Sequence, residues 1–122
     1  MSLASVVLLF ALSPARYAVL PVQAATDIWD GYGQLKWACS CESWGEPNKE
    51  PREFKDGKVL RGVPNPQDIG ACQINIPFWG ATAKKLGYNI YTLDGNVSMA
   101  KYILGQQGIK AWEWSQKCWD TK

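Results

Sequence analysis

The chain has 122 residues, a formal net charge of +2, 47% hydrophobic residues, seven Trp and five Tyr. That length fits one domain able to bury a core, the apolar content argues against disorder, and the interspersed acids and bases make no patch of the kind nucleic acid requires. The aromatic rings outnumber what so small a core needs, and surplus rings often line grooves that stack on flat ligands.

In chain order, Leu3 to Leu12 is an apolar run broken only by Ser5, too short to span a bilayer as a helix. Pro14, Arg16 and Pro21 interrupt it, and Val22-Gln23-Ala24 offers a small-x-small cleavage pattern. Residues 1–24 therefore read as a secretory signal peptide, leaving a single domain over 25–122. Its net charge is then +1, because Arg16 is the one charged residue lost. No basic residue precedes Leu3, which keeps an uncleaved anchor as the alternative.

Asp27 is placed to cap a helix running through Ser43, with Leu35, Ala38 and Cys41 at helical spacing, ended by Trp44-Gly45. Glu46 to Pro51 is a polar, proline-bounded loop. Arg52–Lys55 and Lys58–Arg61 flank Asp56-Gly57, the signature of a two-residue type I′ hairpin. A third strand is expected over Asp68–Gln73, after the Pro64-Asn65-Pro66 turn. Pro77 suits the start of a helix to Leu86 that stops at Gly87. Another helix starts near Leu93 to Asn96, carries Val97, Ala100, Ile103 and Leu104 on one face and ends at Gly108; a brief last one holds Trp112–Lys117. Leu86, Ile90, Ile103 and Leu104 are expected in the core. The order predicts an α+β fold, a helical body beside a small antiparallel hairpin sheet with a cleft between them.

Cys39, Cys41, Cys72 and Cys118 are an even set in a small, apparently exported chain, which favours two disulfides. Three connectivities are possible. On a helix Cys39 lies three residues before Glu42 and shares its face, while Cys41 points about 100° away, so the two take different partners; Cys39 with Cys72, both beside the carboxylate region, and Cys41 with Cys118 is the expected pairing. Cys39-Ser40-Cys41 is a poor zinc spacing, and the chain has no histidine, so neither a metal site nor any other cofactor is expected. The missing imidazole also excludes Ser-His-Asp and Cys-His hydrolases.

What remains is carboxylate chemistry. Glu42 lies near the end of the first helix, and Asp68 opens the octet Asp68-Ile69-Gly70-Ala71-Cys72-Gln73-Ile74-Asn75. A protonated and an ionised carboxyl, with amides beside them, are the parts of a site that protonates a glycosidic oxygen and stabilises the cation left behind. Gln73 and Asn75 offer both donors and acceptors to hydroxyls and N-acetyl groups; if the segment is one strand, their alternation puts both on one face.

Cys41-Glu42-Ser43, the Asp56-Gly57 hairpin, the octet, the helix from Gly95-Asn96 to Leu104, and Ala111-Trp112 followed by Cys118-Trp119 resemble the lysozyme superfamily in this order. The octet is similar to c-type lysozymes; Asn96, Ala100 and Tyr102 look more like bacterial lytic transglycosylases. The resemblance implies a lysozyme-like fold and a secreted or periplasmic, monomeric glycosidase. Its partner would be peptidoglycan glycan strands, cut at the β-1,4 bond between N-acetylmuramic acid and N-acetylglucosamine. It implies Glu42 as general acid and Asp68 as nucleophile or counter-charge, with Asp68 as a turn cap the alternative. Gln73, Asn75, Trp79, Tyr102 and Trp112 are implied to bind substrate or shape the cleft, although Tyr102 fits the core equally and one of Phe78 and Trp79 is better placed there. A transglycosylase leaving 1,6-anhydromuramyl ends, or a glycan-binding module without turnover, would keep the same fold. Two features depart from the family. The connection from Ser43 to Phe54 is long, so Glu46, Glu50 and Glu53 are candidates to enter the cleft; and Cys72 stands where an ordinary apolar residue is usual, an added staple near the site.

Overall fold

The computed structural model describes residues 27–120; the segment read as a signal peptide, residues 1–24, lies outside the described residues. Among the described residues, 27–30 and those from Gly31 onward belong to separate units. In the first, Asp27 accepts from the Trp29 N–H through Oδ1 at 3.0 Å and from the Asp30 N–H through its carbonyl at 2.9 Å. Asp27 thus caps a turn and not a helix. In the second unit, Gly31 sits at φ 82°, a left-handed conformation that glycine takes without a Cβ clash, and the first helix, α1, runs over Gly33–Trp44. It ends on Gly45 at φ 80°, whose N–H returns to the Cys41 carbonyl.

The first hairpin forms as its sequence predicts. β1 (Phe54–Lys55) pairs antiparallel with β2 (Lys58–Val59), and Asp56 and Gly57 have φ 53° and 77°, the two positive values a type I′ turn requires. The octet departs from expectation. It is not one strand over Asp68–Gln73 but a second hairpin, β3 (Asp68–Ile69) against β4 (Ile74–Asn75), with Asp68 opposite Asn75. Positive φ at Gly70 (75°) and Gln73 (53°) reverses the chain, and the Gln73 N–H closes the turn on the Gly70 carbonyl at 3.0 Å. Gln73 therefore lies in a turn, and strand alternation does not set its direction. An isolated bridge from Arg61 to Ile69 joins the two hairpins.

α2 (Ile76–Leu86) has Asn75 as its N-cap, Pro77 in its first turn and Gly87 at φ 82° as its C-cap. α3 (Leu93–Gln107) starts on the Thr92 side chain, which accepts from the Gly95 N–H. The last segment is a 3₁₀ helix, Ile109–Ser115, running into α4, Gln116–Trp119, where one short helix was expected. Four α-helices and two small antiparallel sheets among the described residues make the fold α+β.

Leu35, Ile69, Ile74, Val97 and Met99 are fully buried, and Ile90 and Ile103 join them. Leu104 is half-buried, and Leu86 is 41% exposed, because it is the last residue of α2 and the helix ends before its side chain is covered. Both disulfides have the expected partners. Cys39–Cys72 ties α1 to the β3–β4 turn, and Cys41–Cys118 ties it to α4. No helix among the described residues is long and apolar enough to cross a membrane.

Candidate functional site

Asn96, 1% exposed, fixes the hairpin that carries the octet. Its Nδ2 donates to the carbonyls of Ile69 and Ile90, and its Oδ1 accepts from the Cys72 N–H, each at 2.8 Å. A Cβ on Gly70 would collide with this amide. Here glycine is required twice, by its positive φ and by the close approach of Asn96.

Against that hairpin lies a cavity of about 510 Å³, lined by Glu42, Asp68, Gln73, Asn75, Trp79 and Trp112 among others. Six of the seven residues expected at the site therefore meet in one place. Tyr102 is not in the lining; it packs edge-on to Trp79, with ring centroids 6.4 Å apart. Trp79 in turn meets Phe78 edge-on at 4.9 Å. Phe78 is mostly exposed and Trp114 is 96% exposed, and both line the same cavity.

Glu42 projects from the last turn of α1 and is half-buried. Burial raises its pKa above the ordinary carboxyl value; the hydrogen bond from Ser115 opposes that rise, and the charge of Asp68 adds to it. Loss of water around the carboxylate is the leading cause, since burial penalises the charged form. The Ser115 hydroxyl donates to Glu42 Oε2 at 2.6 Å and also lies 3.2 Å from the Trp112 carbonyl. A hydroxyl has one proton and can accept as well. With Glu42 ionised, Ser115 donates to it; with Glu42 protonated, Ser115 can accept from the acid and turn its own proton to Trp112. Both protonation states are then satisfied.

Trp112 is 5% exposed, and its Nε1 donates to the Cys72 carbonyl at 3.0 Å. Its own carbonyl also accepts from Trp119 Nε1 at 3.0 Å. The wall beside Glu42 is thus anchored to the octet. Asp68 Oδ1 accepts from Asn75 Nδ2 at 2.9 Å, while Asn75 Oδ1 accepts from the Phe78 N–H at 3.0 Å. Asn75 is thereby a positioning residue for Asp68 and the start of α2. Gln73 Nε2 donates to the Gly70 carbonyl at 3.0 Å.

A second cavity, of about 450 Å³, shares Glu42, Asn65, Asp68 and Gln73 with the first and continues past Arg52, Lys55 and Arg61. The two form one groove with the carboxyl pair at their junction. Glu46, Glu50 and Glu53 line neither part. Glu46 pairs with Lys49 at 3.6 Å, Glu50 with Lys36 at 3.0 Å, and Glu53 Oε2 accepts from the Leu93 N–H at 3.1 Å, at the positive end of α3. The long connection is folded back by Ser40, whose Oγ donates to the Glu46 carbonyl and accepts from the Lys49 N–H.

Ser115, Asn65 and Gln107 were missed from sequence. Ser115 is 73 residues from Glu42, and a lone serine in a short helix carries no signal for that meeting; Asn65, in a Pro-Asn-Pro turn, reads as turn chemistry alone. Among the described residues no group of His, Cys, Asp and Glu could hold a metal ion. No protein-family model, curated protein or solved structure matches this chain.

Proposed function

We propose that this chain is a peptidoglycan-cleaving glycosidase of lysozyme-like fold, acting on the β-1,4 bond between N-acetylmuramic acid and N-acetylglucosamine. The observation that carries this reading is a half-buried Glu42 with a raised pKa at the middle of a groove, facing Asp68. A carboxyl kept protonated by its surroundings can give its proton to a glycosidic oxygen, and an ionised neighbour can meet the positive charge that develops on the sugar. Glu42 takes the first role and Asp68, held by Asn75, the second. Trp79, Phe78 and Trp114 supply faces for sugar rings, and Gln73 an amide for their hydroxyl or N-acetyl groups. Two disulfides fit a secreted or periplasmic enzyme.

A second reading, lytic transglycosylation, is favoured by one feature: Glu42 has its partners in Ser115 and the Trp112 wall, while Asp68 is already engaged by Asn75. The substrate's own N-acetyl group would then replace Asp68. Mass spectrometry of digested cell wall separates the readings. Reducing ends, lost in Glu42→Gln and severely reduced in Asp68→Asn, are the expected result. Anhydro ends with a mild Asp68→Asn effect would establish transglycosylation, and an active Glu42→Gln protein would overturn the site.

A further inference from the structure

The two halves of the groove differ in chemistry. One half holds Phe78, Trp79, Trp112 and Trp114 and, apart from the shared Glu42 and Asp68, no charged side chain. The other half holds Arg52, Lys55 and Arg61 and, apart from the same two carboxyls, no acid. With a formal charge of +2 for the entire sequence, three cations in one cavity are a local concentration that the overall balance conceals.

Arg52 is the best fixed of the three. Its Nε donates to the Ser43 carbonyl at 2.8 Å, its backbone N–H donates to Ser43 Oγ at 3.1 Å, and its guanidinium carbon lies 3.8 Å from the centre of the Trp44 ring. A guanidinium held at Nε and stacked on an indole has lost most of its freedom before a ligand arrives, and its terminal nitrogens keep the fork that matches a carboxylate. Arg61 is anchored as well, with one terminal nitrogen donating to the Pro66 carbonyl at 3.1 Å. Lys55 stands exposed at the end of β1 and adds an adjustable charge.

We propose that this half of the groove binds a carboxylate-bearing substituent of the glycan, so that the enzyme's preferred substrate class is a sugar strand still carrying acidic peptide and not a bare amino-sugar polymer. The assignment rests on the reading of the groove as a glycan-cleaving site. It adds a discriminating element that the aromatic half does not contain, because stacking on sugar faces is indifferent to the charge of a side branch.

The test is a binding measurement, independent of turnover. Glu42→Gln protein is titrated by calorimetry with a disaccharide-peptide whose peptide carboxylates are free, and with the same molecule after amidation of those carboxylates. The free acid is expected to bind about three- to tenfold more tightly, since solvent-exposed ion pairs contribute modestly. That preference should shrink at about 0.5 M salt and fall in Glu42→Gln protein that also carries Lys55→Gln and Arg61→Gln, two exposed positions whose replacement leaves Arg52 and its Ser43 contacts in place to hold the remainder. Equal affinity for the two ligands, or a preference left undiminished by the two substitutions, overturns the assignment. Failure of the catalytic reading shows separately, as absence of cleavage by the unsubstituted protein.

Discussion

Replacing Asn96 with alanine tests how the site is held. Three hydrogen bonds of 2.8 Å disappear, leaving the Cys72 N–H and the carbonyls of Ile69 and Ile90 without their partner in surroundings where Asn96 is 1% exposed. An orphaned buried polar group costs ~1–3 kcal/mol. Because the lost amide leaves room for a water that can satisfy some of these groups, the lower end applies, about 3 kcal/mol in total. For a domain of this size that lowers Tm by about 12–24 °C. The assay is urea unfolding followed by tryptophan fluorescence, with calorimetry for Tm. Asn96→Asp sharpens it: the Oδ1 acceptor for Cys72 is kept, but an acceptor replaces the amide nitrogen between two carbonyls. The buried aspartate is easier to hold protonated, so this variant should lose more stability as pH rises. A loss below about 1 kcal/mol in Asn96→Ala, or an Asn96→Asp protein indifferent to pH, would refute this account of the hairpin.

Other outcomes follow from the same geometry. Glu42→Gln should stabilise the protein at neutral pH relative to the unsubstituted chain: the raised pKa means that ionising Glu42 lowers native stability as pH rises through the folded pKa. The Tm difference between the two should therefore grow from about pH 4 to about pH 8, and a constant difference would contradict the direction of the shift. Ser115→Ala removes the bond that holds the Glu42 pKa down, so the basic limb of the pH–rate profile should move to higher pH; an unmoved limb would exclude Ser115 as a partner of the acid. Replacing both Cys41 and Cys118 by alanine opens a loop closed over 77 residues and should cost about 4.5 kcal/mol, against about 3.7 kcal/mol for Cys39 and Cys72 at a separation of 33. Denaturation midpoints in that order would support loop closure as the source of the stabilisation.

Local chemistry was readable wherever one or two residues decide it. Asp56-Gly57 specifies its turn, Gly45, Gly87 and Gly108 stop their helices, and the two-residue offset of Cys39 and Cys41 separates their partners. The octet misled because Gly70 and Gln73 both adopt positive φ, and a glutamine carries no mark of that conformation. Asp27 misled because a helix cap and a turn cap use the same side-chain acceptor; Gly31 decided between them. Of the cavity lining, Glu42, Asp68, Gln73, Asn75, Trp79 and Trp112 were legible, being parts of compact motifs, whereas Trp114 was not. Ser115 and the cationic half-groove were not, because they depend on where separate segments meet.

Those meetings have a common logic. Asn75 is the N-cap of α2 and the donor to Asp68, so the helix that carries Phe78 and Trp79 and the carboxylate they flank are set by one side chain. Trp112 donates to Cys72, Cys72 is bonded to Cys39, and Cys39 lies three residues before Glu42 on the same helix. The two carboxyls are therefore not placed independently. Each is referred to the β3–β4 turn, Asp68 through its own strand and Glu42 through the disulfide and the Trp112 wall, and that turn is in turn fixed by Asn96. A change at Asn96 should for this reason disturb the spacing of Glu42 and Asp68 even where the protein still folds, so under the proposed function cell-wall cleavage lost ahead of stability is the expected signature of its milder substitutions.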